Sequence, residues 1–331
     1  MYLIMVLWQL LSVEESGVSR LLSFDNSSIV SKFSKVDLSD INLTTKFTKK
    51  TKIAIPFVLS QHNTDFNMTK QMTDCLGVGI LNSDMSIENQ SHQMKLLYHS
   101  WHHTKSRYIY ELHKNKKISD ETKKDLDDTI KFLNKLPKCA SIKLSDDFIE
   151  RAAELYRNGC NVIFIDSPHG YNKLVGDAIG KIKKELSRVE VIAGSVNTEE
   201  AIRYLCESGA DAITIGVGSG YEHQKANRTG YNVPEISTIV NCSNIADSFN
   251  VPIIGYVDTN DIGDVCKGLG AGADSFIMDS YITDDKKTSV IKIDLQATID
   301  NISESLKSSL MFVGAKNIDE FHSKVDFIKK N

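Results

Sequence analysis

The sequence predicts an α/β protein, a single-domain (β/α)8 barrel, and three observations carry that prediction. Three segments repeat one grammar: residues 150–166 (ERAAELYRNGCNVIFID), 199–216 (EEAIRYLCESGADAITIG) and 264–280 (DVCKGLGAGADSFIMDS). Each runs from an amphipathic helical pattern, through a glycine and an Asp or Asn, into an apolar strand. The strands are apolar at almost every position, as expected of parallel strands buried on both faces. Strand and helix patterns alternate along most of the 331 residues, which favours a closed barrel over an open doubly wound sheet.

In chain order, residues 1–23 form an apolar N-terminal segment and residues 24–331 the barrel. The opening MYLIMVLWQLLSVEES has no basic n-region and no small-x-small cleavage site, and its apolar run is too short to span a bilayer. A packed segment is therefore expected in preference to a signal peptide. KIAIPFVL (52–59), VEVIAGSV (189–196), DAITI (211–215) and VPIIGYV (251–257) read as further strands. Residues 92–136 are polar and helical in pattern, a short helical excursion from the barrel. Its His99, His102 and His103 read as surface histidines, because no carboxylate or Cys completes a ligand set at fixed spacing. Gly159, Gly209 and Gly272 suit the left-handed position at a helix end. Residues 283–297 read as a charged loop and an alternating segment, a reduced flap or small hairpin. The final stretch reads as two amphipathic helices split at Gly314, with Ser303 opening a capped helix.

Composition narrows the function classes. A net charge of −4, with lysines interleaved among Asp and Glu, suggests solvated helix faces and no nucleic-acid partner. A 41% hydrophobic share supports a sizeable core, and no membrane partner is expected. Cys75, Cys139, Cys160, Cys206, Cys242 and Cys266 form no CxxC pair and no zinc spacing. They read as buried free thiols in a reducing, cytoplasmic setting, and no metal site is expected.

A series of motifs in fixed order then resembles one family. FDNSSIV (24–30) looks like an opening FDDVLL, and IPFVLSQHNTD (55–65) like a second conserved block. GVGILNSDMSIENQ (77–90) is close to GIGFIHKNMSIEEQ, and IDSPHGY (165–171) to D-[SA]-x-x-G. VIAGSVNTEEA (191–201), GVGSGYEHQKANRTGYNVPEIS (216–237), GDVCKGLGAGADSFIMDS (263–280) and SLMFVGAKNIDEF (309–321) follow in the same order. Each match alone is weak, but their order and spacing are specific. The chain resembles the IMP dehydrogenase / GMP reductase family over nearly its full length. With no CBS-pair insertion, its length is nearer to a GMP reductase.

The resemblance implies a TIM barrel, usually a homotetramer, that acts as an NAD(P)-linked oxidoreductase of purine nucleotide metabolism. It implies cofactor contacts at Asp166, Gly170, Gly216 and Gly218, and a monovalent cation at the Gly218–Gly220 loop. It implies purine nucleotide contacts at Gly220, Tyr221, Tyr256, Asp258, Asp279 and Ser280. The family reaction, by the same resemblance, needs a thiolate that adds to purine C2. His223 stands at that position, with Gln224 and Lys225 in place of two threonines. Tyr256 takes the place of a ribose-binding Asp, while Asp258 and Asp279 stand where glycines would face a phosphate. A like charge at about 4 Å costs about 4 kcal/mol at an effective dielectric of 20. Asn63, Asn82 and Ser195 replace a family Asp, His and Asn.

Three readings stay open on these residues. One is a divergent oxidoreductase of the family. Another is a catalytically inactive member acting as a binding or regulatory subunit. The third is an enzyme for a different, non-phosphorylated or cationic ligand held by Asp258 and Asp279 with Asp261 and His223. Asp166 reads equally as a cofactor contact or a structural carboxylate, and the retained glycines equally as requirements of the fold.

Overall fold

The structure, a computed structural model, describes residues 21–61, 64, 66–114, 131, 135–216, 233–257, 261–278 and 294–330. Strand β1 (Ser27–Ile29) pairs antiparallel with the last strand, β12 (Phe327–Lys329), and ties the two ends of the described chain together. A short antiparallel hairpin follows, β2 (Thr45–Lys46) and β3 (Lys52–Ile53). Eight parallel strands then close the barrel in chain order: β4 (Phe57–Leu59), β5 (Val78–Leu81), β6 (Cys139–Lys143), β7 (Val162–Asp166), β8 (Glu190–Val196), β9 (Ala212–Ile215), β10 (Ile253–Val257) and β11 (Ser275–Met278). Closure is made by Phe276–Met278 of β11 against Phe57–Leu59 of β4. The open-sheet alternative is thereby excluded.

A helix follows each barrel strand: α1 (Phe66–Asp74), α2 (Ile87–Lys114), α3 (Phe148–Arg157), α4 (Lys173–Glu185), α5 (Glu199–Ser208), α6 (Glu235–Ser248), α7 (Ile262–Gly270) and α8 (Leu295–Val313). A short α9 (Ile318–Lys324) completes the described helices. Side-chain alternation sorts the core in two. Outward residues such as Ile163, Ile165, Ile213 and Phe276 meet the helices, and inward residues such as Val58, Ile80, Phe164, Ile192 and Ile277 fill the barrel.

The repeated grammar has one structural cause. Gly159, Gly209 and Gly272 turn the chain out of α3, α5 and α7 with φ of 100°, 99° and 117°. Two residues later, a side-chain oxygen accepts the backbone N–H that opens the preceding strand region. Asn161 accepts from Lys138 at 2.7 Å, Asp211 from Val191 at 2.8 Å and Asp274 from Ile253 at 2.8 Å. These bonds fix where each strand begins. The hairpin seals the same end: Phe47 and Ile53 are fully buried, Lys50 N–H and Thr51 Oγ1 donate to Glu190, and Thr45 Oγ1 donates to the Asp274 carbonyl.

Three sequence expectations need correction. KIAIPFVL is two strands, because the break at residues 54–56 includes Pro56, which has no N–H to donate to a ladder. Ser303 lies inside α8; the helix is capped nine residues earlier, at Asp294, whose carboxylate accepts from Ala297 N–H at 3.1 Å. Residues 295–297 are therefore the first turn of α8 and not part of a flap, while 283–293 lie outside the described residues. The split at Gly314 holds: it is the left-handed cap of α8, with φ 71°. Most of the N-terminal segment, residues 1–20, lies outside the described residues, as do 115–130 of the polar stretch, whose first part forms α2.

Candidate functional site at the barrel mouth

The carboxyl ends of parallel barrel strands are where this architecture carries its chemistry. Inward alternation brings Ser60, Lys143, Asp166, Gly194, Gly216 and Tyr256 to that end of β4, β6, β7, β8, β9 and β10. The same residue run on β4 contributes to two contacts across the mouth. The hydroxyls of Ser60 and Tyr256 lie 3.1 Å apart, and Gln61 Nε2 donates to Asp166 Oδ1 at 3.4 Å. Gln61 is 4% exposed, while Asp166 is partly open to solvent.

Lys143 and Asp166 are register partners on β6 and β7. The Lys143 ammonium nevertheless pairs with Asp84, on the turn between β5 and α2. Its pKa is raised first by the hydrogen bond to Asp84, and further by the charges of Asp84 and Asp166. That turn is held from behind. Arg151 of α3 donates to the Met85 carbonyl at 3.0 Å and to Gln90 Oε1 at 2.9 Å, and buried Gln90 donates to the carbonyls of Asn82 and Ser141.

Of the residues singled out from sequence, Asp166, Gly170, Gly216 and Tyr256 are in place at the mouth. Asp166 caps no helix; Asn172 caps α4. Gly170 N–H donates to the Ser195 carbonyl at 3.0 Å, and a Cβ there would stand 2.7 Å from Gly194 Cα. Gly216 has φ 109°, and a Cβ would meet the Tyr256 carbonyl oxygen at 2.9 Å. Both glycines thus have a packing reason of their own. Ser195 Oγ donates to the Gly216 carbonyl. Tyr256 is only 8% exposed, its ring part of the inward-facing core of the barrel. Asp261 caps α7, accepting from Gly263 N–H at 2.8 Å. Asn63, Gly218, Gly220, Tyr221, His223, Lys225, Asp258, Asp279 and Ser280 lie outside the described residues.

Gln61, Asp84 and Lys143 were not singled out from sequence. The available signal was positional: they stand at or just beyond the carboxyl ends of β4, β5 and β6. Among the described residues, no group of three His, Cys, Asp or Glu could hold a metal ion, and no helix is long and apolar enough to cross a membrane.

Comparison with protein families matches residues 21–289 to the IMP dehydrogenase / GMP reductase domain. The chain belongs to the IMP dehydrogenase / GMP reductase family. It is 30% identical to inosine-5'-monophosphate dehydrogenase of Cryptosporidium parvum over 285 residues, covering 80% of this chain and 68% of that protein. It is also 30% identical to that of Borreliella burgdorferi, covering 81% and 70%. GMP reductase of Leishmania major is 33% identical over 145 residues, which is 43% of this chain and 30% of that one. In fold, it resembles GMP reductase from Trypanosoma brucei in complex with guanosine 5'-triphosphate, with a TM-score of 0.77 and 20% identity, covering 96% of this chain and 99% of that one.

Membership makes the thiols the decisive inventory, and all six are described. Cys139 opens β6 and Cys160 precedes β7, both at the end of the barrel opposite the mouth. Cys206, Cys242 and Cys266 lie on α5, α6 and α7. Cys75 follows α1 and donates to Gln296 of α8 at 3.3 Å. Burial raises every one: Cys75 and Cys206 to about 11, Cys160, Cys242 and Cys266 to about 12, and Cys139 well above its ordinary value.

Proposed function

We propose that this chain binds a nicotinamide dinucleotide and a purine ligand at the barrel mouth, without carrying out thiolate-dependent hydride transfer. It is a family member of purine nucleotide metabolism that works as a binding or regulatory subunit. One observation carries the reading: no cysteine stands at the mouth, and burial holds every thiol in the protonated form. A thiol with a pKa near 11 is a thiolate in only about one molecule in ten thousand at pH 7.

The residues at the mouth fit the nicotinamide side of a dinucleotide. Asp166 is a partly exposed carboxylate, supported by a buried amide, with acceptor capacity facing the opening. The ribose side is altered, since a buried Tyr256 engaged with Ser60 replaces the carboxylate that the family pattern places there. His223 stands at the sequence position of the family thiolate; an imidazole does not form the same covalent adduct.

The test combines turnover with binding. Absorbance at nicotinamide wavelengths is followed with IMP plus NAD(P)+ and with GMP plus NAD(P)H, and thermal shifts are recorded with each compound. The expected result is no turnover, with a dinucleotide and a purine nucleotide each raising Tm. Steady turnover of either purine removes the proposal, and so does the absence of any shift.

A further inference from the structure

We propose that Gln61 is a positioning residue for Asp166, fixing the carboxylate so that its remaining lone pairs receive the N–H donors of a neutral or cationic headgroup. This rests on the dinucleotide reading of the mouth given above. Gln61 is almost wholly buried and Asp166 is not, so the amide lies behind the carboxylate and leaves its open side to a ligand. The two come from strands that are not neighbours, with β5 and β6 between β4 and β7. Their contact is thus a side-chain bond across the mouth, separate from the ladder that closes the barrel.

The surrounding charges point the same way. Lys143 is the register neighbour of Asp166 and could neutralise it, yet its ammonium pairs with Asp84. Arg151 and Gln90 hold the turn that carries Asp84, which keeps the lysine on that side. A neutral amide, not an ammonium, is therefore the donor placed on Asp166 Oδ1. Two carboxylates, Asp84 and Asp166, here face two cations, Lys143 and Arg151, and the cations are engaged on the Asp84 side, so Asp166 keeps its acceptor capacity toward the opening. The N–H donors of a carboxamide suit that carboxylate, and a phosphate dianion does not.

The experiment measures Kd for NAD+ and NADH by calorimetry on the full chain, with Gln61→Ala, Asp166→Asn and the double variant. The expected result is that the wild-type chain binds a nicotinamide dinucleotide. Gln61→Ala should weaken NAD+ about three- to tenfold, and the double variant should be no weaker than Asp166→Asn alone. A second readout needs no ligand and no loss of a buried side chain. The Gln61 side-chain amide resonances in a nitrogen-edited spectrum should shift in Asp166→Asn. Additive losses, or an amide that does not respond to Asp166→Asn, overturn the positioning role. Failure of the wild-type chain to bind either dinucleotide instead overturns the dinucleotide reading and the ligand half of this proposal; the amide resonance then decides the Gln61–Asp166 contact by itself.

Discussion

The two ends of the barrel use their polar side chains differently. At the amino end, Asn161, Asp211 and Asp274 each accept a backbone N–H of the preceding strand region, and Glu190 accepts from the sealing hairpin. At the carboxyl end, the pairs are side chain to side chain: Gln61 with Asp166, Ser60 with Tyr256, and Lys143 with Asp84. The first kind of bond defines strand starts, and its loss is a loss of fold. The second kind leaves the backbone untouched and holds groups at an opening, where a ligand can compete for them. Carboxylates at the amino end therefore read as structural and those at the mouth as functional.

The contrast should be sharpest at Asp211. Its carboxylate is almost fully buried, accepts from Val191 N–H and pairs with Lys183 at 2.7 Å. Asp211→Ala leaves the buried Val191 N–H unmatched and leaves the Lys183 ammonium with only the Val189 carbonyl, at 3.0 Å. A loss of about 3 kcal/mol of stability is expected in chemical denaturation. A loss below about 1 kcal/mol would mean that the amino-end bonds do not set the strand starts.

Asp274 should behave differently although it sits in the same grammar. Burial pushes its carboxyl up from 3.8 to about 7. The unfolded chain gives up this proton near pH 4 while the fold retains it, so the stabilising contribution is full below pH 4 and is lost as pH rises through about 7. Nearby His322 is also buried, its Nε2–H donating to the Ala273 carbonyl at 3.0 Å, and burial lowers its pKa from 6.5. Its contribution has the opposite sense: it is present above pH 6.5 and lost as pH falls through the lowered value. Asp247, Asp319 and Lys46 complete the charges that act on the pair. Asp274→Asn keeps an acceptor for Ile253 N–H, as Asn161 already does in the first unit, and removes the buried charge. Denaturation at pH 8 should show a gain of about 1–2 kcal/mol, which vanishes by pH 4. A loss at pH 8 would show that the charge itself is needed there.

The smallest effect is expected at the mouth. Tyr256→Phe removes the hydroxyl that meets Ser60 and keeps the ring in the core. Denaturation should shift by less than about 1 kcal/mol. A shift as large as that of Asp211→Ala would erase the difference between the two ends.

What was legible in the sequence follows the same division. The amino-end grammar lies within a few residues of chain: Gly209, Asp211 and the strand from Ala212 can be read from one window. The glycine that ends α8 was legible for the same reason, but the start of that helix was not. Ser303 has the residue type of a cap, yet the apolar period already runs from Leu295 through Ile299 and Ile302, which places the cap at Asp294. Pro56 was the overlooked breaker in KIAIPFVL. The mouth contacts are beyond local reading, since Gln61 and Asp166 are 105 residues apart and Ser60 and Tyr256 are 196 apart. Only closure of the barrel brings them together. Asp166 and Tyr256 were nonetheless marked by the family motifs, whereas Gln61 and Lys143 carry no motif and required the strand ends to be known.

The most direct measurement of the central claim is thiol reactivity in the native protein. The full chain is titrated with a chromogenic aromatic disulfide at pH 7, with and without IMP. The account predicts that no thiol reacts fast and that IMP protects none, because all six are held protonated by burial and none stands at the mouth. One fast-reacting cysteine, shielded by IMP, would contradict it.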